Sequence, residues 1–185
     1  PAPSFAIATA AVAEGGLMTF TVTRTGDAQA SQTVQFATSD GTATIAGLDY
    51  TNTSGTLTFT QGQTTRTFTV QTTADTLFES DETFNVTLSG ATGGAVIGTA
   101  AATGTITNND AAPSLSIASA SATEGGLITF TVTRTGDAQA AQTVQFATSD
   151  GTATTAGLDY TASSGTLTFN TGDVTKTFTV QTTAD

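Results

Sequence analysis

Residues 20–30 read FTVTRTGDAQA, and residues 130–140 repeat them letter for letter. Within the stretch Phe20 and Val22, with Met18 just before them, alternate with Thr19, Thr21 and Thr23. Successive side chains of an extended chain point to opposite faces, so a period of two marks a strand with one face in a core and the other in water. The TGDA that follows is a turn signal, with Asp27 shaping the reversal through side-chain hydrogen bonds. A half-buried strand running into a tight turn is therefore the unit from which the rest of the sequence is read.

The same alternation returns at Val34 and Phe36, Leu57 and Phe59, Phe68 and Val70, and Phe84, Val86 and Leu88. An edge segment near Ser4–Ile7 and a last strand near Ala102–Ile106 bring the total to seven, and no stretch carries helical periodicity. Seven short strands with Thr-filled outer faces in about 110 residues predict an all-β fold, an immunoglobulin-like seven-stranded antiparallel sandwich. The fold occurs in tandem, because QTVQFATSDGTAT at Gln32 also recurs at Gln142, a shift of 110 residues, and about 58 of 75 paired positions are identical. Residues 1–110 form a complete repeat. Residues 111–185 form a truncated second one, lacking its last two strands, since Asp185 is the counterpart of Asp75. The expectation is a piece of a longer array; the alternative is that another chain supplies the missing strands. The junction TNNDAAPSLS is short and holds one Pro, which predicts limited swing between neighbouring repeats.

Composition narrows the function. With no Cys and no His, the usual zinc, haem and thiol chemistries have no ligands. Fifteen acids against four bases give a formal charge of -11, which disfavours nucleic acid and anionic membrane surfaces and favours cations. No run approaches the roughly 20 apolar residues of a membrane helix, so membrane insertion is not expected. The wealth of Thr, Ser, Ala, Gly and Asn with a single Lys resembles secreted bacterial surface proteins, and an extracellular or cell-surface location is the expectation.

The acids are not spread evenly. ADTLFESDETF, residues 74–84, holds Asp75, Glu79, Asp81 and Glu82 with no base among them. Antiparallel strands reverse direction, so alternate loops share a pole. This assigns Glu14, Asp40, Asp49, Asp75, Glu79, Asp81, Glu82 and Asp110 to one end of the first repeat and Asp27 to the other, with Arg24 and Arg66 also near the far end. Carboxylates converging from several loops suit calcium, which takes six to eight hard oxygen ligands in flexible geometry; magnesium demands a tighter octahedron and keeps its waters. Asp40 and Asp150, in SDGT, are read as turn formers, and Tyr50 and Tyr160 as rings packed under a loop with the hydroxyl on a backbone partner. A catalytic pocket is not expected: the acids lie on loop tips, and there is no Trp to stack a sugar.

The order of these features, a Glu before the second strand, TSDGTATIAGLDY, GTLTF, TTADTLFESDETFNVTL and TGTITNND, resembles the Calx-beta domain, the calcium-sensing module of sodium/calcium exchangers and a tandem module of bacterial surface proteins. The resemblance implies calcium ligands at Glu14, Asp49, Asp75, Glu79 and Asp110, with Glu82 as a helper. Where the strongest binders of the family carry acidic triplets, this chain has Asn108, Asn109, Asp110 and Thr73, Ala74, Asp75. Asn108 brings an oxygen without charge, which implies about one or two ions per domain and dissociation constants of roughly 0.1–1 mM. In the second repeat the matching positions are Glu124, Asp159 and Asp185, an incomplete set that implies weak binding or none.

The resulting expectation is a non-enzymatic, calcium-binding structural repeat of an extracellular bacterial adhesin, matrix or filament protein, in which calcium stiffens the loops and the joint between neighbouring repeats. Two other readings compete: a filament subunit assembled with other copies of the chain by β-strand complementation, and a ligand-binding adhesion module.

Overall fold

The computed structural model describes residues 1–184 of the 185. The chain divides into two compact units, Pro1–Asn109 and Asp110–Asp185. The first contains β1 (Ser4–Ile7), β2 (Ala10–Ala13), β3 (Leu17–Thr25), β4 (Gln32–Ser39), β5 (Ser54–Phe59), β6 (Thr65–Gln71), β7 (Glu82–Ser89), β8 (Val96–Thr99) and β9 (Ala101–Thr107). They form two sheets, ordered β6-β3-β1-β8 and β2-β9-β7-β4-β5. To the seven expected strands the structure adds β2 and β8. Both are four residues long and pair in parallel, β2 with β9 and β8 with β1, so the N-terminal segment contributes to both sheets. Segments as short as AAVA and VIGT carry too little alternation to be recognised as strands.

The alternation of β3 becomes burial: Met18, Phe20, Val22 and Arg24 face inward. Register with β6 sets Phe20 opposite Phe68 and Met18 opposite Val70. Rings then follow one another through the core. Phe36 stacks on Phe68 at 3.8 Å, Phe68 lies 5.3 Å from Phe20, Phe20 meets Phe84 edge-on at 5.9 Å, and Phe84 stacks on Tyr50 at 4.4 Å. Each buried ring contributes about 1.5–3 kcal/mol by leaving water, and a well-oriented pair roughly 0.5–1.5 kcal/mol more. The ladder joins the two sheets and ends at Tyr50, whose neighbour Asp49 belongs to the acidic pole.

Arg24 is buried rather than displayed. Its guanidinium donates to the carbonyls of Ala30 (3.0 Å) and Thr60 (2.9 Å) and to Gln32 Oε1 (2.6 Å), and it lies 5.6 Å from the centre of the Phe59 ring. A buried cation persists only with such partners, and here they gather the loops opposite the acids.

The second unit contains β10 (Ser114–Ile117), β11 (Leu127–Thr135), β12 (Gln142–Ala147), β13 (Ser164–Phe169) and β14 (Thr175–Gln181), in sheets ordered β10-β11-β14 and β12-β13. Registers repeat residue for residue: Phe130 opposes Phe178 as Phe20 opposes Phe68. Arg134 is likewise buried, donating to the carbonyls of Ala138, Ala140 and Asn170. Among the described residues no helix is long and apolar enough to cross a membrane.

Candidate metal centre

Four chain segments meet at one end of the first unit, joined by backbone hydrogen bonds. Glu14 N donates to Thr107 O at 3.1 Å, Gly15 N to Thr73 O at 3.0 Å, and Thr73 N to Asp49 O at 3.0 Å. Gly15 is required at this junction: its φ is +74°, and a Cβ there would lie 2.8 Å from that of Ala74. Asn109 Nδ2 donates to Glu14 O at 3.1 Å and brings in the segment after β9. Residues far apart in sequence are thereby fixed side by side.

Each acid is set by local structure. Asp49 closes its loop by accepting from Thr44 N at 2.6 Å through Oδ2. Asp75 Oδ1 accepts from Leu77 N at 2.7 Å, a side-chain turn that opens the acidic loop. Asp81 Oδ1 accepts from Asn108 N at 3.0 Å, while Asn108 Oδ1 accepts from Glu79 N at 3.3 Å. Asn108, expected as a minor ligand, thus braces the loop that carries Glu79. Glu82 stands at the start of β7 and points inward beside Asp49.

These side chains form two groups. Glu14, Asp75 and Asp110 can bring one carboxylate oxygen each within 4.8 Å of one another, and so can Asp49, Glu79 and Glu82. The expected ligands do gather, but in two sets of three, and Glu82, expected as a helper, ranks equally with its neighbours. A small cavity of about 10 Å³, room for roughly one water or bare cation, is lined by Glu14, Asp49, Asp75, Glu79 and Glu82, with Thr73 and Ser80 beside them. No base lines it. Neither Thr73 nor Ser80 was expected as a ligand: Thr73 stands where the family's strongest binders carry an acid, and Ser80 had no signal beyond adjacency to the acids.

Electrostatics register the crowding. Burial, with the negative charges of Asp49 and Glu79, pushes the Glu82 carboxyl up to about 7, and a hydrogen bond to Asp49 favours its protonated form. Burial and the charges of Asp75 and Asp49 also raise Glu79. A divalent cation removes this repulsion, and the donors are all hard oxygens, so the residues fit such an ion.

Asp40 forms a turn, as expected: its Oδ1 accepts from Ile45 N at 3.1 Å. The Tyr50 hydroxyl donates to the same oxygen at 2.8 Å, so its partner is a carboxylate, not the expected backbone group. Burial and that bond push Tyr50 up to about 12. Asp150 and Tyr160 repeat the arrangement at 2.7 Å.

The Calx-beta domain family profile matches residues 4–112 and again residues 108–185. The chain belongs to the Calx-beta family. Both matches lie where the repeats fall, and the first includes every member of the two acidic groups. Among solved structures, the apo-form Calx CBD1 domain is 27% identical, covering 60% of this chain and 100% of its own, with a TM-score of 0.55. The structure titled calcium binding domain CBD12 of CALX1.1 is 25% identical over 95% of this chain and 74% of its own, at 0.55. CBD12 from CALX1.2, at 24% identity over 98% of this chain and 75% of its own, has a TM-score of 0.56 and shares the fold. A search of curated proteins finds no match.

The second Calx-beta repeat has a sparser pole. Asp159 Oδ2 accepts from Thr154 N at 2.8 Å, and Glu124 is exposed. Both line an open hollow with Thr182 and Thr183, and among the described residues no third acid completes a group there. Asp185 lies outside the described residues.

Proposed function

We propose that this chain is a calcium-binding structural module of an extracellular bacterial surface protein, such as an adhesin, matrix or filament protein. One observation carries the proposal: six carboxylates from four chain segments of a Calx-beta domain converge in two groups of three, and no base lines the cavity that five of them border. Glu14, Asp75 and Asp110 would hold one ion and Asp49, Glu79 and Glu82 a second. The ions would supply charge neutralisation and a link between loops. A solved neighbour named as a calcium binding domain supports the choice of ion, and so do loop-borne carboxylates, which adapt to the large, flexible shell of calcium better than to magnesium. The Thr-rich, Lys-poor composition supports the extracellular location.

Asp110 ends the acidic pole and opens the segment leading to the second repeat. An ion held by Asp110, Glu14 and Asp75 would therefore restrain the start of that segment. On this reading calcium stiffens the loops of the first repeat and the joint that follows it.

Isothermal titration tests the assignment. Calcium is expected to bind with a dissociation constant of roughly 0.1–1 mM, magnesium more weakly, and Asp75→Asn with Glu79→Gln should reduce calcium affinity at least tenfold. Equal binding of the two metals, or an unchanged isotherm for the double variant, would overturn it.

A further inference from the structure

Asp40 stands at the acidic pole but belongs to neither group of three, and it does not line the cavity beside them. It opens the loop of residues 40–50, which leads from β4 to the pairing of Tyr50 with Thr72. That loop meets the metal centre at two places. Near its start Ala43 N donates to Thr83 O at 2.9 Å and Thr83 N to Thr42 Oγ1 at 2.8 Å, which fastens it to β7 one residue after Glu82. At its far end stands Asp49, whose amide donates to Thr44 O at 3.1 Å while its Oδ2 accepts from Thr44 N. Tyr50 latches the two ends together. Its hydroxyl donates to Asp40 Oδ1 at 2.8 Å, the oxygen that also accepts from Ile45 N. Tyr50 is 2% exposed, and its ring stacks on Phe84, two residues along β7 from Glu82.

We infer that Tyr50 and Asp40 are positioning residues for the second ion: their hydrogen bond holds Asp49 at the spacing from Glu79 and Glu82 that lets the three share one cation. The inference rests on the metal-centre reading and assigns a role within it to two residues that touch no ion. Three carboxylates gathered without a cation repel one another, so other bonds must hold them in place before the ion arrives. The Tyr50 bond suits that task, because a hydroxyl donating to a carboxylate is stronger than a pairing of neutral groups. It also sits between the two acids it spaces, since Asp49 precedes Tyr50 and the Tyr50 ring rests on the strand that Glu82 opens. The latch needs only its own loop. In the second unit Tyr160 donates to Asp150 at 2.7 Å and Asp159 accepts from Thr154 N at 2.8 Å, although among the described residues no acidic group assembles there.

The test titrates calcium into the whole chain and follows amide exchange in chelator. Tyr50→Phe keeps the ring and its stacking but loses the latch. It should weaken calcium binding about tenfold or more, and without metal the amides of Thr44 and Asp49 should exchange faster. Asp40→Ala should behave alike, whereas Asp40→Asn, which keeps the accepting oxygen, should restore most of the affinity. The loss caused by Tyr50→Phe should persist on top of Asp75→Asn and vanish on top of Glu79→Gln, because only Glu79 shares the affected group. A loss of equal size in both backgrounds, or an Asp40→Asn variant as impaired as Asp40→Ala, would overturn the inference. So would a Tyr50→Phe variant that melts earlier yet binds calcium as the wild type does, a result that leaves the metal centre standing. A wild-type chain that takes up no calcium would overturn the metal-centre reading and this inference with it.

Discussion

Glu82 concentrates the electrostatic cost of the acidic pole. A carboxyl raised from 4.5 to about 7 binds more protons folded than unfolded. Its stabilising contribution is therefore complete below about pH 4.5 and is lost as pH rises through about 7. In chelator, the melting temperature of the first unit should fall between pH 5 and pH 8, and Glu82→Gln should flatten that slope. Calcium should oppose the fall, because it offsets the charge that protonation would otherwise remove. Leu48 carries a different strain: it has φ +69° without being Gly and is 71% exposed. A left-handed conformation costs an L-residue roughly 1–2 kcal/mol. Leu48→Gly should accordingly stabilise the unit by about 1 kcal/mol, measured by urea unfolding. Turns and strand parity assigned eight acids to one pole, and the resemblance to the Calx-beta domain singled out Glu14, Asp49, Asp75, Glu79 and Asp110 among them. Neither showed their division into two groups, which depends on side-chain direction at positions such as Glu82.

At the scale of elements, β7 joins site and core. Glu82 opens it at the acidic pole, while Phe84, Val86 and Leu88 continue it into the interior. Phe84 contacts both Phe20 and Tyr50, so Phe84→Ala should cost about 3–5 kcal/mol in chemical denaturation and also loosen the loop carrying Asp49. A loss below about 1 kcal/mol would contradict the ring ladder as the spine of the fold. Strands of this kind were legible because every second residue is apolar. β2 and β8 were not, being four residues long and held by main-chain pairing to strands remote in sequence. Arg24 was legible as a residue of the pole opposite the acids but not as a buried one, because its burial depends on Ala30 O, Thr60 O, Gln32 Oε1 and the Phe59 ring coming together around it.

For the whole molecule, the two repeats share most of their sequence but, among the described residues, differ in the acids they assemble, which makes the second an internal control for the first. Heating the chain in chelator, in magnesium and in calcium compares them directly. If the dissociation constant is about 0.1 mM, 10 mM calcium stabilises the binding unit by about 2.7 kcal/mol per site. For a unit of this size that is a rise on the order of 10 °C or more. The account predicts this rise for the first unit in calcium, a much smaller one in magnesium, and no shift in the unfolding of the second unit. A first-unit transition that does not move with calcium, or that moves equally with magnesium, would contradict the claim that its gathered carboxylates form a calcium site.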